Sequence, residues 1–266
     1  KRVLISAHIL YGVASPRLWR ARSSFSQPVL SSPYALSYCL GMRKTLGLVI
    51  KKQNYGETDR IITIFSPDLG KKRIIAKAIR RPTSKLAGHL DTFMLSQLML
   101  TDNEDLPRVT SAILAEPFED IRNQLTLTER AFAITKVIER VILEDVSQRA
   151  IFQVTLDAMA RLNDHQPWPA VWTYFLSELA NELGLGPGDF LCRQCHQKLI
   201  GGGYWHVEDR QFVCGTCLGE VIHGIFLEEN SIKLLQLLRK NSFMSIAKIQ
   251  LPAFCAAQVE ELFLRE

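Results

Sequence analysis

The sequence has few cysteines and lacks any long uncharged apolar run. Six cysteines among 266 residues are too sparse for a disulfide scaffold, and four of them stand in two close pairs. No stretch of ~18 apolar residues occurs, so we expect no membrane-spanning helix and no membrane partner. An apolar fraction of 47% with 22% charged residues excludes an intrinsically disordered chain and fits two or three small globular domains.

Motifs of common catalytic sites are also missing. The sequence contains no G-x-x-x-x-G-K-[ST] phosphate-binding loop and no G-x-S-x-G nucleophile elbow. The glycines at 184, 186 and 188 follow a predicted helix rather than a strand, so they indicate a helix end and a linker. Nucleotide hydrolysis and acyl transfer therefore have no support in these motifs.

Charge is unevenly distributed along the chain. The net charge of +5 equals that of residues 1–41, which hold five basic residues and no acidic one. Residues 42–115 carry 13 basic and 7 acidic side chains, whereas residues 116–266 carry 14 basic and 20 acidic ones. The informative feature is this contrast between a basic module and an acidic remainder, because it indicates which end faces phosphate groups.

The first 41 residues have no clean apolar period and contain eight serines and three prolines. A serine- and arginine-rich, acid-poor segment is typical of a transit peptide, while the compact apolar core of a secretory signal is absent. Alternatively, the working protein starts at Met42, where a well-patterned strand begins. We therefore expect residues 1–41 to be a leader that is disordered or not native to the working protein.

The basic module has the pattern of a small β-barrel. Strands are predicted at five segments joined by short turns, and the Pro67–Gly70 turn suits the backbone angles that proline and glycine favour. Five antiparallel strands within about 75 residues predict an OB-type barrel, although an SH3-like barrel would show a similar pattern. The predicted strands are 45–52, 59–66, 71–79, 89–101 and 110–115.

Seven basic residues follow one another within fifteen positions of this module without an intervening acid. Such a run is usually a solvated face with a flexible loop. Its position on one hairpin of an OB-type barrel favours nucleic-acid binding instead, because lysine and arginine neutralise phosphates. Tyr55 and Phe65 are candidates for stacking on bases, with core packing the alternative for Phe65. The candidate DNA-binding residues are Lys71, Lys72, Arg73, Lys77, Arg80, Arg81 and Lys85.

The acidic remainder predicts helices. Apolar residues recur at helical spacing after Thr126 or Thr128, either of which is a suitable N-cap. A second helix is expected over 148–162, and a third starts with Pro169 in its first turn and stops at Gly184. Residues 230–266 predict two more helices, in which Cys255 is a small buried apolar residue.

The most specific motif is a pair of C-x-x-C sequences, Cys192–Cys195 and Cys214–Cys217, separated by eighteen residues. Four thiolates so placed close a tetrahedral site with no open position for substrate, which predicts a structural zinc ion. A hairpin over 204–213 would complete a zinc ribbon. The alternatives are a disulfide pair, a redox C-x-x-C and a rubredoxin-like iron site, since four sulfurs suit iron as well.

A catalytic zinc is the competing enzymatic interpretation. The sequence His206-Val-Glu208 ahead of Cys214 is similar to the H-x-E…P-C-x-x-C signature of zinc deaminases. However, no proline precedes Cys214, and only five residues separate it from Glu208. A deaminase site would also leave the first cysteine pair without a task, so we expect a structural metal.

Four segments of the sequence are characteristic: LVIKKQNYGETDR at 48–60, GKKR at 70–73, AIRRPTSK at 78–85 and GHLDTF at 88–93. In these segments the chain resembles the RecO family of bacterial DNA repair and recombination mediators, in its zinc-bearing branch. The resemblance covers residues 42–266 and includes the four-cysteine cluster after a helical region. It implies an α+β multidomain protein: an OB barrel over 42–116, a helical domain over 117–190 and 221–266, and a zinc module over 191–220.

The resemblance also implies a function that spacing alone does not. RecO proteins bind single- and double-stranded DNA, anneal complementary strands, and act with RecR and RecF to load RecA onto DNA coated by single-strand-binding protein. They are not known as enzymes, and they work on cytoplasmic, nucleoid DNA. Carried onto this chain, the seven basic residues become DNA contacts and the four paired cysteines ligands of a structural Zn2+. A protein-docking scaffold without direct DNA binding remains an alternative.

Overall fold

The computed structural model describes residues 41–101, 105–218, 224–240, 243–247 and 251–264. The expectation that residues 1–41 are a disordered or non-native leader falls, except for Gly41, outside the described residues. None of the described helices is long and apolar enough to cross a membrane.

Five antiparallel strands form the N-terminal sheet in the order β3-β2-β1-β4-β5, as the OB-type prediction requires. The fourteen-residue β1 pairs with β4 through its first half and with β2 through its second half. Ile75 donates its N–H to Pro107 O at 2.8 Å and forms a parallel bridge with Arg108, so β3 closes the sheet against the start of β5. The strands are β1 (Met42–Tyr55), β2 (Asp59–Ser66), β3 (Gly70–Ala76), β4 (Leu95–Thr101) and β5 (Val109–Glu116).

Two of the predicted strands are longer than the observed ones, whereas β1 extends three residues beyond its predicted bounds at each end. The predicted strand over 89–101 begins only at Leu95, and Ala87–His89 is a short 3-10 helix. Phe93 has a left-handed φ of 66° and donates its N–H to Val49 O at 2.8 Å, which bends the chain before β4. The predicted strand over 71–79 ends at Ala76, because Ala78 also has a positive φ, of 52°.

The long strand β1 contributes side chains to two cores. Val49 points into the barrel interior with Ile62, Ile64 and Ile74. Its neighbour Leu48 belongs to the larger core that the helices form, together with side chains from β2 and β4. One wall of the barrel is therefore buried against the helices by the two-residue alternation of the strand.

Seven helices fill the rest of the described chain with a small second sheet. The helix that was predicted to follow Thr126 begins earlier, at Leu125, because Gln124 occupies the N-cap position. The third predicted helix begins at Trp168, so Pro169 is its second residue. Gly184, with φ 69°, follows the end of that helix as expected. The helices are α1 (Glu119–Asn123), α2 (Leu125–Val141), α3 (Arg149–Asn163), α4 (Trp168–Glu182), α5 (Glu229–Lys240), α6 (Phe243–Ala247) and α7 (Ala253–Leu264).

The second sheet carries the predicted hairpin and one strand that was not predicted. Strands β6 (Gly203–His206) and β7 (Gln211–Val213) form the hairpin, and β8 (Gly224–Leu227) pairs with the other edge of β6. Trp205 and Phe212 pack edge to face with ring centroids 4.9 Å apart. Both rings are buried in the same core as the helices, so the small sheet is anchored by apolar packing.

Candidate metal centre and nucleic-acid interface

The two C-x-x-C segments lie on tight turns that bring their sulfurs together. In the first turn His196 donates its N–H to Cys192 O at 2.8 Å, and in the second Cys217 donates to Cys214 O at 3.1 Å. A parallel bridge between Cys192 and Phe212 ties the first turn to the hairpin. The four Sγ atoms all lie within 4.8 Å of one another.

The spacing of the sulfurs fits a metal ion rather than disulfides. The Sγ atoms of Cys195 and Cys214 are 3.8 Å apart, far beyond the ~2.05 Å of a disulfide bond. Metal–sulfur bonds of ~2.3 Å in a tetrahedron place the sulfurs about 3.8 Å from one another. The four cysteines are therefore able to hold one metal ion in a closed site.

The electrostatics of the cluster also favour a cation. Burial raises the pKa of the Cys192 thiol, but backbone N–H groups of Cys195 and Cys214 outweigh it and bring this pKa to about 6. The backbone N–H of Cys217 lowers the pKa of Cys214. Hydrogen bonding with the neighbouring sulfurs, first that of Cys214, raises the pKa of Cys217 to about 12. A bound cation would favour the thiolate form of all four cysteines.

His206 and Glu208, the residues of the deaminase alternative, stand apart from the cluster. His206 Nδ1 lies 3.0 Å from Asp209 Oδ2, and Arg193 contacts the same carboxylate. The metal-ligating groups that converge in the described part of the chain are the four cysteines alone. No histidine joins them there, so the deaminase ligand set of one histidine with cysteines is not formed.

Three of the four lysines among the candidate DNA-binding residues make ion pairs or hydrogen bonds through their ammonium groups within the protein. Lys71 donates from Nζ to Glu139 O at 2.7 Å. Lys72 Nζ lies 2.7 Å from an Asp145 carboxylate oxygen, and the lysine side chain is only 16% exposed. The third is Lys77, whose Nζ lies 2.9 Å from Asp59 Oδ2. These three contacts hold the barrel to its own loops and to the helices.

Asp145, the partner of Lys72, belongs to a segment that the sequence did not single out. Residues 142–148, here called the α2–α3 linker, run along the start of β3 and form bridges from Glu144 to Gly70 and Lys71. Ser147 also donates its hydroxyl to Pro67 O at 2.9 Å. The linker therefore covers the end of β3 that carries the first two lysines of the basic run.

The other four candidates, Arg73, Arg80, Arg81 and Lys85, are exposed. Arg80 donates its backbone N–H to Thr58 O at 2.9 Å, so the loop after β3 is fastened to the turn between β1 and β2. These four residues therefore form a solvent-facing set, most of it on one ordered loop.

Arg60 is a further basic residue at this turn that the sequence analysis did not select. It lies opposite Asn54 in the β1–β2 pairing and donates from Nε to Asn54 Oδ1 at 3.2 Å. Arg60 could have been identified from the sequence, because antiparallel pairing of the strands on either side of Tyr55 and Gly56 places it at this turn. Arg60 extends the cationic surface from the loop after β3 to the β1–β2 turn.

The structure combines a closed OB-like barrel, a helical region and a cluster of four cysteines. Two family models match this chain and assign it to the DNA repair and recombination proteins. Residues 42–118 match the family model described as "Recombination protein O N terminal", and residues 122–262 match "Recombination protein O C terminal". The chain belongs to the RecO family of DNA repair proteins. The recognition made from the sequence segments is thereby confirmed.

Relatives named "DNA repair protein RecO" are similar over most of their length. The chain is 32% identical over 194 residues to the protein of Acetivibrio thermocellus, covering 72% of this chain and 77% of the relative. It is 29% identical over 218 residues to the protein of Dehalococcoides mccartyi, covering 82% and 86%. For the protein of Roseiflexus the identity is 25% over 228 residues, with 82% and 77% covered.

Proposed function

We propose that this chain is a DNA-binding recombination mediator that acts without making or breaking covalent bonds. In this proposal it binds single- and double-stranded DNA, anneals complementary strands, and works with RecR and RecF. Together they load RecA onto DNA coated by single-strand-binding protein at the nucleoid. The observation that carries the proposal is the exposed basic set Arg73, Arg80, Arg81 and Lys85 on an OB-like barrel in a member of this family.

Annealing has a simple physical basis on such a surface. Two strands repel one another through their phosphates, and a row of guanidinium and ammonium groups lowers that repulsion without reading the bases. Each phosphate that is neutralised releases counterions, so binding weakens as salt rises. Lys71 and Lys72 are partly buried, and the exposed Lys77 is paired with Asp59, so we keep these three lysines as candidate contacts of smaller effect.

We propose that the four cysteines Cys192, Cys195, Cys214 and Cys217 bind a structural Zn2+. The Sγ atoms of Cys195 and Cys214 have the separation expected of a tetrahedral zinc site. Zinc would hold the two turns together at the base of the second sheet and supply no reaction. Elemental analysis of the purified protein separates zinc from iron, and an iron site would also show visible absorption.

The acidic helical part is the proposed surface for protein partners. Residues 116–266 carry six more acidic than basic side chains, so this part is disfavoured for contact with phosphates. RecR, RecF and single-strand-binding protein are the partners proposed for the mediator.

The test of the proposal is strand annealing with complementary oligonucleotides coated by single-strand-binding protein, with and without RecR. We expect the full chain to accelerate annealing. We also expect that glutamine substitution of Arg73, Arg80, Arg81 and Lys85 removes most of this effect. Glu208→Ala is the matched control, because it changes an exposed charge in the second sheet. Annealing unaffected by the fourfold substitution would contradict the proposal, as would a chemical turnover that Glu208→Ala abolishes.

A further inference from the structure

The four clustered cysteines differ in how far solvent reaches them. Cys192 is fully buried, Cys214 and Cys217 are half-buried, and Cys195 is exposed. The residues on either side of Cys195 in the chain, at 194 and 196, are exposed as well. Buried cysteines are inert, and oxidation selects thiolates that solvent reaches. Cys195 is therefore the cysteine of the cluster that is most accessible to a small dissolved oxidant.

A second sulfur stands next to that of Cys195 on the other turn. The Sγ atoms of Cys195 and Cys214 are 3.8 Å apart, although the two residues are nineteen positions apart in the chain. A disulfide needs ~2.05 Å, so the two sulfurs would have to approach by about 1.8 Å. Cys214 is thus placed to react with an oxidised Cys195, and the bond formed would join the two turns.

The two turns are held together by contacts that do not involve a metal ion. Phe212 forms a bridge with Cys192 and accepts the N–H of Arg193 at 2.8 Å. Phe212 and Val213, which lead into the second turn, are both fully buried in the apolar core. We therefore expect the sulfurs to stay within reach of one another when the metal leaves, which makes its loss reversible.

We propose that Cys195 is an oxidation site for hydrogen peroxide, and that Cys214 converts the oxidised sulfur to a disulfide with release of the metal ion. The inference rests on the Zn2+ proposed above and adds a reversible modification to that site. A cysteine bound to zinc is deprotonated, and the thiolate is the form that attacks a peroxide.

The reaction is a two-electron oxidation of two sulfurs by one molecule of peroxide. The Cys195 thiolate attacks one peroxide oxygen, the O–O bond breaks, and a sulfenic acid forms while hydroxide leaves. The Cys214 thiolate then attacks the sulfenic sulfur, the S–S bond forms, and a second hydroxide leaves. Each hydroxide takes a proton from solvent and becomes water. Cys192 and Cys217 then remain as the only thiolates for an ion that needs four ligands, so zinc dissociates.

The test uses the full chain purified with zinc and then treated with hydrogen peroxide. A metallochromic indicator follows the release of zinc, and differential alkylation with peptide mass spectrometry locates the oxidised residues. We expect zinc to appear as Cys195 and Cys214 lose their reaction with the alkylating reagent. Cys255 is the internal control and should stay reduced, because it is 1% exposed and lies outside the cluster. Dithiothreitol with added Zn2+ should restore the starting state.

A pair of histidine substitutions separates the role of Cys195 from loss of a ligand. Histidine also binds zinc in structural sites, so Cys195→His keeps a fourth ligand and removes the exposed sulfur. Its zinc release under peroxide should be about tenfold slower than that of the wild type. Cys217→His is the matched control, because it leaves both reacting sulfurs in place, and its release should stay within about twofold of the wild type.

The wild-type mapping decides the proposal even where a histidine variant fails to hold zinc. Retention of zinc at a peroxide dose that oxidises glutathione would overturn it, as would release of zinc while Cys195 stays reduced. Disulfides confined to each C-x-x-C segment would contradict the part assigned to Cys214. A chain purified without zinc would refute the proposed metal site, and this inference with it.

Discussion

Gly70 is the residue where the barrel and the α2–α3 linker come closest. Its φ is +60°, and a Cβ built there would overlap the carbonyl oxygen of Val146. Gly70→Ala therefore combines a left-handed backbone with a clash against rigid backbone, and we expect it to lower the free energy of unfolding by about 3 kcal/mol or more. Denaturant unfolding monitored by circular dichroism measures the change.

Gly56→Ala is the matched control for this prediction. Gly56 has nearly the same φ, +58°, but nothing lies within 4 Å of a Cβ at that position. It should cost only the backbone strain, about 1 kcal/mol. Equal losses for the two variants would show that the close approach of the linker to Gly70 does not contribute.

Asp59 provides a pH prediction at the same scale. The N–H of Ala78, followed by the ammonium of Lys77, lowers the pKa of Asp59 below its usual 3.8. A carboxyl whose folded pKa is lowered stabilises the fold above its unfolded pKa, and this stabilisation is lost as pH falls through the folded pKa. In an NMR titration the carboxyl of Asp59 and the amide of Ala78 should shift together with a midpoint below pH 3.8. A midpoint above 3.8 would contradict the contact.

Single residues also show what the sequence was able to predict. Cys255 is buried, as predicted, because an isolated cysteine in an apolar helix behaves as a small apolar residue. The engagement of Lys71 and Lys72 was not foreseen, since their partners Glu139 and Asp145 lie about seventy positions away. Local charge patterns carry no information on such long-range pairs.

The metal module makes a prediction at the scale of one structural element. Cys192→Ala removes the most buried of the four cysteines, so we expect the variant to be purified without the zinc ion that we propose for this site. We also expect the thermal midpoint to fall by roughly 10 °C or more, because structural zinc contributes folding free energy. Elemental analysis and thermal unfolding measure the two effects.

Cys255→Ala is the control for that variant, because Cys255 is equally buried but stands outside the cluster. It should keep one zinc per chain and lose only the stability that a small cavity costs. A metal-free Cys192→Ala protein with the wild-type midpoint would contradict a structural role for the site.

The α2–α3 linker makes a second prediction for an element. Lys72 is mostly buried against it, whereas its strand neighbour Arg73 is exposed. Lys72→Ala should therefore lower stability by about 1 kcal/mol, a modest value because the partner Asp145 is solvated. Arg73→Ala should leave stability almost unchanged and weaken single-strand binding more than Lys72→Ala does. The reverse order in denaturant unfolding and anisotropy would contradict this assignment.

Prediction of elements succeeded where the pattern is local. The second strand over 59–66 was predicted with its observed bounds, because alternating apolar residues and a proline–glycine turn define it. The start of β4 was placed six residues early, since the left-handed turn at Phe93 depends on hydrogen bonds to Val49 in another strand. The short β8 and α6 were missed because neither carries enough residues to establish a period.

At the scale of the whole molecule, the basic barrel and the acidic helical part share one apolar core. Phe93 of the barrel packs edge to face on Phe132 of α2 at 4.8 Å, and Leu48 lies in the same core. The charge contrast was visible in the sequence, but this continuity was not, because it depends on which face of β1 the helices cover. The basic barrel is therefore held against the acidic helices by apolar packing.

DNA binding by the exposed basic residues is tested most directly by the salt dependence of single-strand binding. It is measured by anisotropy for the wild type and for the fourfold glutamine variant. For the wild type, log K should fall linearly with log salt, with a slope of about −0.7 for each phosphate neutralised. Removing Arg73, Arg80, Arg81 and Lys85 should reduce the magnitude of that slope by up to about 3. Binding that is insensitive to salt, or a variant with the wild-type slope and affinity, would contradict DNA binding by these residues.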